Sequence, residues 1–265
     1  MSKRLGIALA SLNILETYLH GDIGPTRAFK KAIALGQEGL VKLFLAISKW
    51  ENMDFNSRSY DGKTGFILAC KNGFTTIAEI LLEHSETKFI DYNAKDNLGR
   101  TAFMYACLKG RKEVVELILN YSEFNESRVD FYTKDNDGFT ALMMACVNED
   151  INVINMILNQ NVPMDLNAKD QNGFTVLMWS CQKGLIDVVK SLLAVPSIDI
   201  NARDHNGWSA LMFACENGKL RVVEAIFVHA KANQIELNPN DYNGMNAFLG
   251  YQKGIKRCFQ IIDGS

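Results

Sequence analysis

Apolar and polar positions fall into blocks along this chain, and the blocks recur. A short apolar run holding small residues, such as Ala102-Phe103-Met104-Tyr105-Ala106-Cys107, leads to a glycine. A second apolar run follows, such as Val114-Val115-Glu116-Leu117-Ile118-Leu119, and then a polar stretch before the cycle restarts. Apolar residues at three- and four-residue spacing predict amphipathic helices, so each cycle predicts two short helices and a turn. One such pair cannot bury its apolar face alone and must stack on copies of itself.

Six glycines set the register: Gly62, Gly99, Gly138, Gly173, Gly207 and Gly244. Two residues after each stands Thr64, Thr101, Thr140, Thr175, Ser209 or Asn246. All are helix N-cap types, able to accept from an orphan backbone N–H. Small residues follow seven after the first five glycines (Ala69, Ala106, Ala145, Ser180, Ala214) and cysteines eight after (Cys70, Cys107, Cys146, Cys181, Cys215). Gly73, Gly110, Gly184 and Gly218 stand eleven after, where a left-handed helix stop favours glycine. Loops such as Asp165-Leu166-Asn167-Ala168-Lys169-Asp170 and Asp199-Ile200-Asn201-Ala202-Arg203-Asp204 lead back to the next glycine.

On these residues the chain resembles the ankyrin-repeat family over most of its length. The resemblance implies an all-α fold: an ankyrin-repeat solenoid of about six or seven units, each a β-turn finger followed by two antiparallel helices. The expected organisation is a single domain over 1–265. Within it, 1–24 is a capping half-unit, 25–57 a degenerate first repeat, and 58–94, 95–133, 134–168, 169–202 and 203–239 are repeats, with 240–265 a C-terminal cap. The family opens its first helix with Thr-Pro-Leu-His. Here Met, Ile or Leu stands at the histidine position, so the fingers are expected to be held by greater apolar packing. The fourth unit departs twice. Glu149 replaces the stop glycine, and the connection from Tyr121 to Tyr132 is long.

Composition narrows the function. The 265 residues are 48% hydrophobic and 22% charged, enough for a real core, and the net charge of −2 lacks the basic footprint of a nucleic-acid binder. No apolar stretch reaches the roughly 18 residues of a membrane span. The N-terminal apolar run ends at Asn13 and reads as a capping helix rather than a leader. Asparagine is plentiful, at 24 residues, and reads as compositional bias. The cysteine spacings of 37, 39, 35, 34 and 43 residues hold no close pair of zinc-site type. Five of the six mark one buried position per repeat, which points to packing and to a reducing, cytoplasmic location. Only Cys258, beside Lys256 and Arg257, has a claim to reactivity.

No catalytic site emerges. His20, His84, His205 and His229 lack ligand spacing, and no phosphate loop, nucleophile elbow or twelve-residue calcium loop occurs. The Asp-x-x-Gly turns read as type I turns whose Asp bonds its own backbone. No cofactor or metal is expected.

What remains is a surface. The resemblance implies partner binding on the concave face, built from the fingers and the exposed side of each first helix. The residue after the finger glycine is Lys63, Arg100, Phe139, Phe174 and Trp208 in turn. Six after the glycine stand Tyr105, Met144, Trp179 and Phe213. Together these predict an aromatic patch of Phe139, Met144, Phe174, Trp179, Trp208 and Phe213, since exposed contiguous apolar surface marks an interaction site. Tyr105, Asn136, Gln171, Asn172, Lys183, His205, Asn206 and Glu216 form its expected rim, and Lys63, Arg100 and Lys109 a more basic entrance. The reading is a non-catalytic scaffold, monomeric on its own, that takes a protein or peptide. A role as one domain of a larger protein or as a delivered effector stays open, as does a thiol sensor at Cys258.

Overall fold

The computed structural model describes residues 12–17, 21, 24–46, 53–84, 90–124, 129–160 and 164–237. The expected C-terminal cap, with Tyr242, Gly244 and Cys258, lies outside the described residues, as does most of the N-terminal half-unit. Residues 12–17 of that half-unit are helical. Contacts along the chain separate two units, residues 1–130 and 131–265.

In the first unit the helices are α1 (Pro25–Ala34), α2 (Glu38–Ala46), α3 (Gly65–Asn72), α4 (Thr75–Glu83), α5 (Ala102–Leu108) and α6 (Lys112–Phe124). They pair as inner and outer partners. Inner helix α3 packs on α1 and α5, while outer helix α4 packs on α2 and α6. The second unit repeats the plan with α7 (Ala141–Asn148), α8 (Ile151–Leu158), α9 (Val176–Lys183), α10 (Ile186–Leu193), α11 (Ala210–Glu216) and α12 (Leu220–Ala232). Its inner row is α7, α9 and α11. The long connection after Tyr121 is partly helix, because α6 runs on to Phe124.

The caps explain why such short helices hold. Thr64, Thr101, Thr140, Thr175 and Ser209 each accept from the backbone N–H three residues on. Each such cap is worth about 1 kcal/mol. Ala69, Ala106, Ala145, Ser180 and Ala214 are wholly buried, which lets neighbouring inner helices approach closely. The cysteines beside them are buried and unbridged. Gly73 and Gly184 end α3 and α9 in the left-handed conformation, and so does Glu149 at the end of α7, with φ +61°.

Polar bonds hold the fingers. Each finger closes on itself, as when Asp170 N–H donates to Phe174 O at 3.0 Å. Successive fingers are then joined by backbone bonds: Gln171 N–H to Asp137 O at 2.8 Å, and His205 N–H to Asn172 O at 3.0 Å. The fit is close enough that a Cβ on Gly173 would lie 2.9 Å from the Cα of Asp204. Asparagines add a second seam. Asn93 accepts from Asp130 N–H, and Asn167 accepts from Asp199 N–H and donates to Ser197 O. These asparagines thus have a structural role that composition did not reveal.

Candidate functional site

The site grows from a buried carboxylate three residues before four of the finger glycines, Asp96, Asp135, Asp170 and Asp204, where the first finger has Ser59. Oδ1 of Asp135, Asp170 and Asp204 accepts from two backbone N–H groups of its own finger, the second belonging to Phe139, Phe174 or Trp208. This fixes the finger aromatic in place. The other oxygen of Asp170 accepts from the indole N–H of Trp179 on α9 at 3.2 Å, tying the finger to its inner helix. Asp96 does the same in the first unit, accepting from the Tyr105 hydroxyl on α5 at 2.7 Å. The sequence carried this signal as an Asp nine residues before a Trp or Tyr, but the turn reading stopped at the backbone.

In the second unit the finger and inner-helix aromatics form one continuous zigzag. Phe139 lies 5.5 Å from Trp179, and Trp179 lies 5.1 Å from Phe174. Phe174 stands 4.6 Å from Phe213, and Phe213 stands 5.2 Å from Trp208. These are ring-centroid distances within the range of favourable aromatic pairing. Each inner-helix ring is therefore clasped between two successive finger rings. Phe139, Phe174, Trp208 and Trp179 are half-buried, with part of each ring open to solvent.

Three predicted contact residues are not available in this way. Met144 is 1% exposed, Tyr105 4% and Phe213 6%. Met144 is sealed on α7, Tyr105 turns its hydroxyl to the buried Asp96, and Phe213 fills the gap between Phe174 and Trp208. They support the surface from beneath instead of lining it. The rest of the predicted set divides by position. His205 is exposed at a finger tip, and Glu216 is exposed in the last turn of α11. Lys183 is half-buried and pairs with Glu149 at 2.9 Å. Arg100 is half-buried in the first unit, where its N–H closes the Asp96 finger.

The first unit carries different chemistry at the same positions. Lys63 is 5% exposed, so it is not a free cation of a basic entrance. It pairs with Asp61 and lies 3.5 Å from Asp96, with its ammonium 5.4 Å from the Tyr105 ring centroid. Lys71 stands over the same ring at 5.4 Å. The hydrogen bond from Lys63, with a second from Ser59, holds the Asp61 carboxyl down at about 2. Burial and the bond to Asp96 raise the Tyr105 phenol.

Elsewhere the chemistry is quiet. Burial pushes the Cys146 thiol up to about 12, and pushes Cys70 and Cys181 up as well, so these thiols stay protonated and unreactive near neutrality. Among the described residues, no group of three His, Cys, Asp or Glu side chains is placed to hold a metal. No described helix is long and apolar enough to cross a membrane.

A family model described as ankyrin repeats in three copies matches residues 29–130 and 123–204, and a single ankyrin-repeat model matches 206–239. The chain belongs to the ankyrin-repeat family. No curated protein matches it. Among solved structures, the ankyrin repeat domain of Bcl-3, described as a unique member of the IkappaB protein family, superposes with a TM-score of 0.72. It is 19% identical, over 89% of this chain and 97% of that one. An ankyrin repeat domain from Acinetobacter baumannii AYE superposes with a TM-score of 0.64 at 21% identity, over 76% of this chain and 97% of that one. At such identities these likenesses establish the ankyrin solenoid and nothing finer. Ankyrin-repeat domains are in general protein–protein interaction modules and in general scaffolds without catalysis. Which face of this ankyrin domain binds, and what, rests on its own residues.

Proposed function

We propose that this protein is a binding scaffold whose partner docks on the concave face of the ankyrin solenoid. The observation that carries this reading is the half-exposed set of Phe139, Trp179, Phe174 and Trp208, joined into one zigzag by the buried Phe213. Aromatic side chains give large contact area for little lost freedom and are the usual energetic anchors of interfaces. Here the rings are fixed before binding, since Asp170 and Asp204 hold the finger backbones and Asp170 holds the Trp179 indole. Pre-organisation lowers the ordering cost that binding must meet. Phe139, Phe174, Trp179 and Trp208 are the contact residues in this reading, with His205, Lys183 and Glu216 on the rim. Arg100 lies in the first unit and is a separate contact candidate there. The scaffold works without a cofactor and without chemistry of its own.

The test is selection of binders from a displayed peptide library on the full chain, followed by rebinding to a Phe174→Ala, Trp208→Ala double variant. Circular dichroism checks that helicity and cooperative unfolding survive. A loss of about thirty-fold or more in affinity is expected if these residues are hot spots. Binders that rebind undiminished to a folded double variant place the site elsewhere. A double variant that cannot fold makes the rings core and ends the reading.

A further inference from the structure

We infer that the inner helices and fingers of the first unit form a second docking surface, which takes an acidic segment of a partner protein. This rests on the reading of the chain as a binding scaffold, and not on the aromatic surface of the second unit.

Charge is divided between the two helix rows of this unit. Inner helices α1, α3 and α5 carry four basic residues, Arg27, Lys30, Lys31 and Lys71, and no acidic one, and Lys109 stands at the C-terminal cap of α5. Outer helices α2, α4 and α6 carry six acidic residues against two basic. The first unit is therefore positive along its inner row and negative along its outer row. In the second unit the inner helices hold one residue of each sign, Lys183 and Glu216. Charges that only complemented helix termini would be expected alike in both units, so the frame does not account for the division.

The fingers differ in the same sense. Segments 58–63 and 95–100 carry Arg58, Lys63, Lys95 and Arg100 against Asp61 and Asp96. Lys63 engages both of those acids, pairing with Asp61 and lying 3.5 Å from Asp96. The corresponding segments 134–139, 169–174 and 203–208 carry three basic residues against four acidic. The basic residue that opens each segment recurs in both units and belongs to the frame. The cation after the finger glycine is particular to the first.

The inner-row cations are held by neutral partners. Lys30 donates to Arg58 O at 2.9 Å, Lys31 donates to Asn13 Oδ1 at 3.3 Å, and the Lys71 ammonium stands 5.4 Å from the Tyr105 ring centroid. None of these three, nor Arg27 or Lys109, forms an ion pair with a described carboxylate. Asp54 and Asp91 of the connecting loops accept from the backbone N–H groups of Asn56 and Asn93. Helix α3 packs between α1 and α5, so Lys31, Lys71 and Lys109 stand on three successive inner helices. Lys31 and Lys109 are exposed, and Lys71 is half-buried. A ligand with clustered carboxylates meets charge that the scaffold leaves uncompensated, while the acidic outer row repels it from the opposite side of the unit. A nucleic acid fits less well. The chain carries a net charge of −2, and Tyr105, the inner-row aromatic on which a base would stack, is 4% exposed.

Fluorescein-labelled ligands, titrated by anisotropy against the full chain, test this. The probe is a Glu-Asp-Gly tripeptide in five tandem copies, and its controls are the Lys-Arg-Gly version and an oligothymidylate of the same charge as the probe. The acidic probe should bind the wild type, and more weakly as salt rises. It should lose about tenfold or more in affinity on a Lys31→Glu, Lys109→Glu variant. A Lys42→Glu, Lys112→Glu variant changes net charge equally at exposed outer-helix positions and should lose about twofold or less. Circular dichroism checks folding, and Lys31→Gln with Lys109→Gln repeats the measurement if the reversed variant does not fold. Absence of binding by the acidic probe, or equal losses in the inner and outer variants, overturns the surface. Tighter binding by the oligothymidylate or by the basic peptide overturns the acidic protein segment as its occupant. If the acidic probe fails while library-selected binders still require Phe174 and Trp208, this inference fails and the proposed function stands. If those binders rebind undiminished to the folded Phe174→Ala, Trp208→Ala variant while the acidic probe requires Lys31 and Lys109, the aromatic surface fails and this one stands.

Discussion

The two units share one frame and spend the same positions differently. In the first, Lys63 and Tyr105 occupy the finger and inner-helix positions, and both turn inward: Lys63 to Asp61 and Asp96, Tyr105 to Asp96 and beneath two ammonium groups. In the second, Phe139, Phe174 and Trp208 take the finger position and keep part of their surface in water. The buried Asp is common to both. It closes its finger by the same pair of backbone bonds in each unit, whether an ion pair or an aromatic ladder is built on it. Frame and surface are thus separable layers, the frame set by Gly, Asp, Thr and the small inner-helix residues, the surface by the side chain after the glycine. Ankyrin chains of low identity can therefore share a fold while nothing about a partner carries over.

The sharpest way to break the division between surface and support is at Phe213 and Trp208, which touch each other at 5.2 Å. Phe213 is 6% exposed and wedged between two rings, so Phe213→Ala should cost about 3–5 kcal/mol through a cavity. Trp208→Ala should cost far less stability and far more binding. Thermal unfolding followed by circular dichroism separates them. Equal destabilisation would put both residues in the core.

Next in size is the carboxylate frame. Asp170→Ala leaves the Asn172 and Phe174 N–H groups and the Trp179 indole without their acceptor, and Asp96→Ala does the same to Leu98, Arg100 and Tyr105. An orphaned donor that water cannot reach costs about 1–3 kcal/mol, which applies in full to the buried Tyr105 hydroxyl and in part to the others. Asp96→Ala also leaves the buried Lys63 with one carboxylate instead of two. It should therefore be the more damaging of the two, measured as the drop in melting temperature of the full chain. The reverse order would mean that Lys63 gains nothing from Asp96.

Sequence reasoning reached the frame more fully than the surface, and the reason is physical. Caps, stops and small residues act through local geometry, so Thr175, Gly184 and Ala214 declare themselves by spacing alone. Exposure does not, because it depends on what the next repeat brings over a residue. Met144 and Trp179 stand at the same place after their glycines, yet one is sealed and the other half-open. Lys63 misled in the opposite direction. A lysine at a finger reads as solvated until Asp61 and Asp96 are seen around it, and their convergence spans two repeats. The asparagine seam was hidden for the same cause: Asn167 and its partners at Ser197 and Asp199 lie in different repeats.

The smallest expected effect tests whether a departure from the frame belongs to the surface. Glu149 ends α7 at φ +61°, where its neighbours carry glycine, and a left-handed L-residue costs roughly 1–2 kcal/mol. At the equivalent Gly184, φ +79°, any side chain would take on the same strain, and an added Cβ would also push the flexible Lys219 side chain aside. In the repeat after Glu149 the position of Lys219 is taken by Leu185, a shorter side chain. Glu149→Gly relieves the strain but loses the pair with Lys183, which is worth about 0.2–1 kcal/mol between partly exposed groups, and it loosens the unfolded chain by some tenths of a kcal/mol more. The net should be a gain of about 0.5 kcal/mol, or a melting temperature higher by about 1–2 °C. Gly184→Ala should move the other way. A lowered melting temperature for Glu149→Gly would show that the Lys183 pair outweighs the strain and that the carboxylate is part of the frame. A raised one would show that the left-handed strain outweighs the pair.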